Sequence, residues 1–213
     1  EIRALPHNQN IVAKLKERRQ YLAEEVMKYY HFLAETVTVT ASDKEDLFDI
    51  TRNDDGSLVV QVYKLNDGQK ADKKYERLFL GGETKEVRLF GFDGEDKFLI
   101  KGNNDKVKIR MIGGGGADIF EKADGGKGSS FVYDKKNGEN KIIGKFKNKM
   151  SNDSDVNRFE RISYNYNKAS PGIAFGFNPD DGVFLGLTYK IISHGFRKDP
   201  YKSSHTFSVS HAL

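Results

Sequence analysis

The chain has no cysteine and no tryptophan in 213 residues, and only four prolines and three methionines. Without cysteine there are no disulfides, no thiolate metal sites and no thiol nucleophile. No apolar run approaches the roughly 20 residues that a transmembrane helix needs. There is no initiator methionine and no signal peptide, and the chain opens at "EIRALPHNQN", so it reads as a piece of something longer. Charge of one sign is also scarce: 35 basic and 31 acidic side chains leave a formal charge of only +4. A mixed, solvated surface explains that balance. "KKYERLF" and "KIIGKFKNK" come nearest to a basic cluster with aromatics, and neither makes a nucleic-acid stripe, so no nucleic-acid partner is expected.

Catalytic motifs are missing too. The five histidines, His7, His31, His194, His205 and His211, show no H-E-x-x-H or other ligand spacing. There is no G-x-S-x-G elbow, no Walker loop, and no Gly-rich turn opening a helix. No catalytic residue is assigned, and the segment is not expected to be an enzyme. A paired-carboxylate hydrolase built on Asp96 and Asp118 stays as an alternative.

What is present falls into four stretches. Residues 1–35 form a helical segment. Ile11, Leu15, Leu22, Val26, Tyr29, Tyr30 and Leu33 recur at three- and four-residue steps. Asn8 or Asn10 is the candidate N-cap. A break near residues 20–22 would make a helical pair, with its aromatic residues in the core. From Thr36 the period drops to two. Residues 36–83 read as an antiparallel β meander, with turns at Asp55-Gly56 and Asp67-Gly68.

Residues 84–149 repeat. Blocks of 22 residues from Thr84 align without a gap. Val87, Ile109 and Phe131 share a column, as do Leu89, Met111 and Tyr133. Gly94, Gly116 and Gly138 coincide, then Asp96, Asp118 and Asn140, then Phe98, Phe120 and Ile142. One block cannot bury its own apolar face, but stacked blocks can. The expected fold is therefore mainly β with an N-terminal helical segment and a short three-rung β-solenoid. A row of antiparallel hairpins with a common period is the other geometry. "GGGGADIFE" fits the nonapeptide of calcium-binding β-rolls. Calcium takes six to eight oxygens. Asp96 and Asp118, with Asp93 and Glu95 nearby, would supply carboxylates between neighbouring turns. Against calcium, the period is 22 residues rather than 9 or 18 and Asn140 replaces the third carboxylate, so Asp and Asn that merely finish tight turns explain the column better.

Residues 150–213 hold a linker and then short alternating strands. In "HTFSVSHAL", Phe207, Val209 and His211 face one way, and Thr206, Ser208 and Ser210 the other. Apolar-out, polar-in strands of about ten residues mark transmembrane β-barrels. Barrel-like antiparallel strands are therefore expected here.

The stretches "YERLFLGGETKEVRLFGFDGEDKFLIKG" and "KIRMIGGGGADIF" resemble the segment before the C-terminal barrel of large Bacteroidetes-type outer-membrane proteins of the surface-antigen, outer-membrane assembly-like class. "DDGVFLGLTYKIISHGFRKDPYKSSHTFSVSHAL" resembles the first strands of that barrel, and "LKERRQYLAEEVMKYYHFLAETVTV" its upstream helical stretch. Some relatives carry a metallophosphoesterase-like domain further upstream. The resemblance implies a non-catalytic segment that links a periplasmic region to an outer-membrane barrel. It also implies contact with outer-membrane lipid, with the remainder of the barrel, and with a protein partner in the cell envelope. A calcium-binding β-roll module or a carbohydrate or phosphoester hydrolase fragment is the alternative.

Overall fold

A computed structural model describes residues 6–123, 128–161, 164–180 and 182–213. The chain is mainly β with one N-terminal helix, and its sheets are open. Contacts divide it into two units, Glu1–Phe159 and Glu160–Leu213. The helix, the meander and the repeat of the sequence reading all lie in the first unit.

The helix α1 runs unbroken over Pro6–Ala34, so the expected pair is one helix. Nothing between residues 20 and 22 breaks it, because every residue there tolerates helical backbone. It begins at a proline, which suits a first helical turn. Asn8 and Asn10 therefore lie inside the helix and do not cap it. Its aromatic residues are on the surface rather than in a core: Tyr21, Tyr29, Tyr30 and Phe32 are all exposed. The helix end is tied down where the Tyr30 hydroxyl donates to Glu83 and the amides of Lys85 and Glu86 donate to the Glu35 carbonyl.

Two sheets follow. The first contains β1 (Thr36–Thr40), β5 (Glu86–Asp93), β7 (Lys108–Gly115), β9 (Ser130–Tyr133) and β11 (Lys147–Asn148), all parallel in that order. The second has the order β10-β8-β6-β2-β3-β4. Its strands are β2 (Asp46–Arg52), β3 (Leu58–Asn66), β4 (Gln69–Phe79), β6 (Lys97–Lys101), β8 (Ile119–Lys122) and β10 (Lys141–Ile143). From β2 to β10 the pairing is parallel, while β3 and β4 are antiparallel additions. The antiparallel meander expected over residues 36–83 therefore holds only for β2, β3 and β4, and β1 instead pairs in parallel with β5 in the other sheet. The chain crosses from one sheet to the other at each short turn: β1 to β2, β5 to β6, β7 to β8, β9 to β10. Each crossing makes one tier.

Both sheets feed a single core. Phe48, Phe98 and Phe120 stack in register, with ring centroids 4.6 and 5.0 Å apart and nearly parallel planes. Ile142 continues that column. On the facing sheet Val39, Leu89, Met111 and Val132 form the matching row.

The last tier corrects the sequence alignment. Ile109 pairs with Ser130, and Met111 with Val132, so Phe131 and Tyr133 sit one place out of their expected columns. Phe131 lies opposite Arg110, half-buried, with the Arg110 guanidinium 4.7 Å over its ring. Side chains alternate along a strand, so a slip of one residue turns each to the other face. Val132 then fills the core and the bulkier Phe131 covers the outside. Tyr133 pairs with Ile112, and Ile142 comes nine positions after Tyr133 where Phe120 comes eight after Ile112, which restores the register of Ile142 with Phe120.

The second unit is one antiparallel sheet of β12 (Lys168–Asn178), β13 (Gly182–Gly195) and β14 (Lys198–Ala212). No described helix is long and apolar enough to cross a membrane, a statement that does not extend to strands.

Candidate functional sites: a carboxyl ladder and a two-faced sheet

At the turn between the two sheets, one acidic or amide side chain per tier points inward. Asp46 is followed by Asp96, Asp118 and Asn140. The Asp96 Oδ1 accepts the amide of Asp46 at 2.8 Å, Asp118 Oδ1 accepts the amide of Asp96 at 2.8 Å, and Asn140 Oδ1 accepts the amide of Asp118 at 2.8 Å. Each side chain thus bonds the backbone of the tier before it. At the start of the column, Asp46 accepts from the amide and hydroxyl of Ser42 and pairs with Lys64 at 3.2 Å.

The second oxygens have a different setting. Asp96 Oδ2 and Asp118 Oδ2 are buried and accept no hydrogen bond. Room for them comes from glycine. Gly91 and Gly113 occupy the same place in successive tiers, beside the paired residues Phe90–Ile112. A Cβ on Gly91 would stand 2.0 Å from Asp96 Oδ2. A Cβ on Gly113 would stand 2.1 Å from both Asp118 Oδ2 and Asp134 Oδ2. In the next tier Asp134, after the Tyr133 that pairs with Ile112, takes the glycine's place. Its carboxyl turns back toward Asp118, while its Oδ1 accepts from the Lys135 amide and from Asn157.

Burial pushes the Asp96 carboxyl up to about 8. Burial also pushes Asp118 up to about 9, helped by the hydrogen bond to Asp134 and by the charges of Asp134 and Asp96. Buried carboxyls in this setting keep their protons at neutral pH. A protonated Asp118 donates to Asp134, which turns two facing acids into a hydrogen-bonded pair.

Of the three proposed calcium ligands, the structure brings Asp96 and Asp118 into adjacent tiers of this ladder. Asp93 is not with them: it is exposed and lies beside Gly115 on the strand next to its own. Among the described residues no group of three or more His, Cys, Asp or Glu is arranged to hold a metal ion. Asp96 and Asp118 are 1% and 0% exposed, so neither is open to a sugar or a phosphoester.

Asp134 and Arg52 are absent from the sequence reading. The Arg52 guanidinium, at the far end of β2, donates to the carbonyls of Asn104, Val107 and Ser129 and to the Ser130 hydroxyl. It clips the return loops of later tiers to the first. Burial lowers its pKa to about 10. Asp134 would have been visible only with the one-residue slip in hand. Nothing local marks Arg52.

In the second unit the register sorts every side chain. Ile173, Leu187 and Val209 lie in one row, Phe175, Leu185 and His211 in the next, and Phe177 and Val183 beyond. Tyr189 and Phe207 pair on the same face. These groups are open to the surroundings: Ile173 is 76% exposed, Phe175 84% and Phe177 71%. The opposite face carries Gly172, Thr188 and Ser208, then Ala174, Gly186 and Ser210, then Gly176, Phe184 and Ala212. One face is thus almost wholly apolar and the other small or polar. The ring of Phe184 folds over Gly176, where a Cβ would meet it at 2.5 Å.

Comparison with known proteins gives no match to any protein family, curated protein or solved structure.

Proposed function

We propose that this chain is a non-catalytic part of an outer-membrane protein. In this reading residues 36–159 form a short β-solenoid on the periplasmic side, and the strands from Lys168 open a transmembrane β-barrel. The observation that carries the proposal is the exposed apolar face of the three-stranded sheet. A water-soluble sheet buries its apolar face against a core, and an exposed patch of this kind marks an interaction or membrane surface. A barrel wall needs the pattern seen here, with apolar side chains toward lipid and small or polar ones toward the lumen. Strand length supports it as well. A transmembrane strand needs about 9–11 residues, and β12, β13 and β14 have 11, 14 and 15. Barrels have eight or more strands, so the three would join others to close.

The burial of Asp96 and Asp118 favours a structural over a hydrolytic role. A solenoid held by side-chain-to-backbone bonds at each turn is a stiff spacer, which suits a segment that carries something to or from a barrel.

Leu187→Arg and Thr188→Arg, neighbours on opposite faces of β13, test the assignment. Arginine on the lipid face of a barrel costs about 2–4 kcal/mol near the midplane, and lumen changes are tolerated. Leu187→Arg is expected to deplete the protein from the outer-membrane fraction, and Thr188→Arg to leave it there. Equal tolerance of both would refute a lipid-facing Leu187.

A further inference from the structure

The helix α1 leaves a second apolar surface without cover. Val12, Leu15, Leu22, Val26, Tyr29 and Leu33 are between 47 and 63% exposed. Their spacing, with Arg19 between them, alternates three and four residues from 12 to 33. That is a heptad seam, with Val12, Arg19, Val26 and Leu33 at one core position and Leu15, Leu22 and Tyr29 at the other. A helix of 29 residues gains most of its stability from packing such a seam. The opposite positions Asn10, Glu17, Glu24 and His31 are all polar and exposed, as the outer line of a two-stranded coil should be.

Charge decides the partner and its direction. The first half of the helix carries Lys14, Lys16, Arg18 and Arg19 against one acid, Glu17, and the second half Glu24 and Glu25 with one base, Lys28, which pairs with both along its own exposed helix face. In a parallel pair Arg19 would face its own copy inside the seam, with Arg18 alongside, gathering four positive charges. In an antiparallel pair Arg19 packs against Leu22, Leu15 against Val26, and Val12 against Tyr29. Arg18 then flanks Glu25 of the second copy, at two symmetric places. We propose that α1 pairs with α1 of a second copy of this chain as an antiparallel two-stranded coiled coil. The inference rests on the helix alone and is independent of the membrane assignment.

The absence of cysteine makes the test clean. The full chain is prepared in detergent micelles as Leu15→Cys and as Val26→Cys, then oxidised. Mixing the two variants should give a disulfide-linked dimer, and Leu15→Cys alone should give none. Dimers of Leu15→Cys alone would mean parallel helices and overturn the proposal. No linked dimer in either sample would overturn it as well. The charge pair adds a second readout that leaves the apolar seam intact. Arg18→Glu should weaken dimerisation about tenfold or more, and Arg18→Glu with Glu25→Arg should restore it. Both charge variants should keep the helical circular dichroism of the parent, because Arg18 and Glu25 are exposed. A charge swap that fails to restore the dimer would contradict the antiparallel register.

Discussion

Raising the pH from about 5 to about 9 is expected to destabilise the first unit by several kcal/mol, the reverse of ordinary carboxylate behaviour. An aspartate in an unfolded chain titrates near 3.8, whereas folded Asp96 keeps its proton to about 8 and Asp118 to about 9. Between these values the folded state holds protons that the unfolded state has released. Stability from the two groups is full below about pH 4 and falls until the folded values are passed. Each proton gives a slope of about 1.4 kcal/mol per pH unit. The charges around the two carboxyls are Asp46, Glu45 and Lys64 on one side and Asp134 on the other. Asp49 and Glu86 act in the opposite sense. Burial raises both, but Lys101 and Lys70 around Asp49, and Arg110 and Arg88 around Glu86, outweigh it and hold them below the usual range. Their contribution is lost only on acidification below the ordinary carboxylate range, outside the alkaline window. Chemical denaturation across the pH series checks the slope. Asp118→Asn should roughly halve it and raise stability at pH 8. The amide oxygen still accepts from the Asp96 amide, and the NH₂ donates to Asp134 without a proton to lose. Asn140 already fills this role one tier on. Melts in millimolar calcium and in chelator should coincide, because protons occupy the second oxygens. A melting temperature raised by calcium and unmoved in Asp118→Asn would restore the β-roll reading.

Gly113→Ala is expected to cost on the order of 3 kcal/mol or more, large for one methyl group. The glycine is required for space, since its Cβ would stand 2.1 Å from two carboxyl oxygens that lie on opposite sides of one hydrogen-bonded pair. Asp118 cannot withdraw without releasing the Asp96 amide. Asp134 cannot withdraw without leaving Asn157 and the Lys135 amide. An unsatisfied buried group costs about 1–3 kcal/mol. Gly138→Ala is the control, since the nearest atom there is the side-chain amide of Asn140 at the exposed end of the column. Urea denaturation should show a lower midpoint for Gly113→Ala and little change for Gly138→Ala. Equal midpoints would mean that the two carboxyls do not meet over Gly113.

Much of this was legible in the chain, for identifiable reasons. The spacing of Phe98, Phe120 and Ile142 carries the strand pairing, because parallel strands of equal tiers repeat their apolar face. The faces of "HTFSVSHAL" follow from strand alternation alone. The first tier was hidden. Thr36–Thr40 and Asp46–Arg52 pair with strands 50 residues on, since the β3–β4 hairpin interrupts the period. A trace of it survives: "DLFDI" at 46–50 echoes "DKFLI" at 96–100. The last tier slipped because composition does not say which connection gains a residue. The role of the Asp column was half visible. Sequence shows that Asp96 and Asp118 stack, but only the geometry shows that their oxygens reach across tiers to backbone amides.

The membrane assignment is tested most directly by fluorescence, since the chain has no tryptophan to interfere. Leu187→Trp and Thr188→Trp place one probe on each face of β13. The protein is reconstituted into vesicles of brominated lipid, whose acyl chains quench indole on contact. The account predicts strong quenching and a blue-shifted emission at position 187, with weak quenching at 188. Equal quenching at the two positions, or none at 187, would contradict a sheet whose apolar face meets lipid.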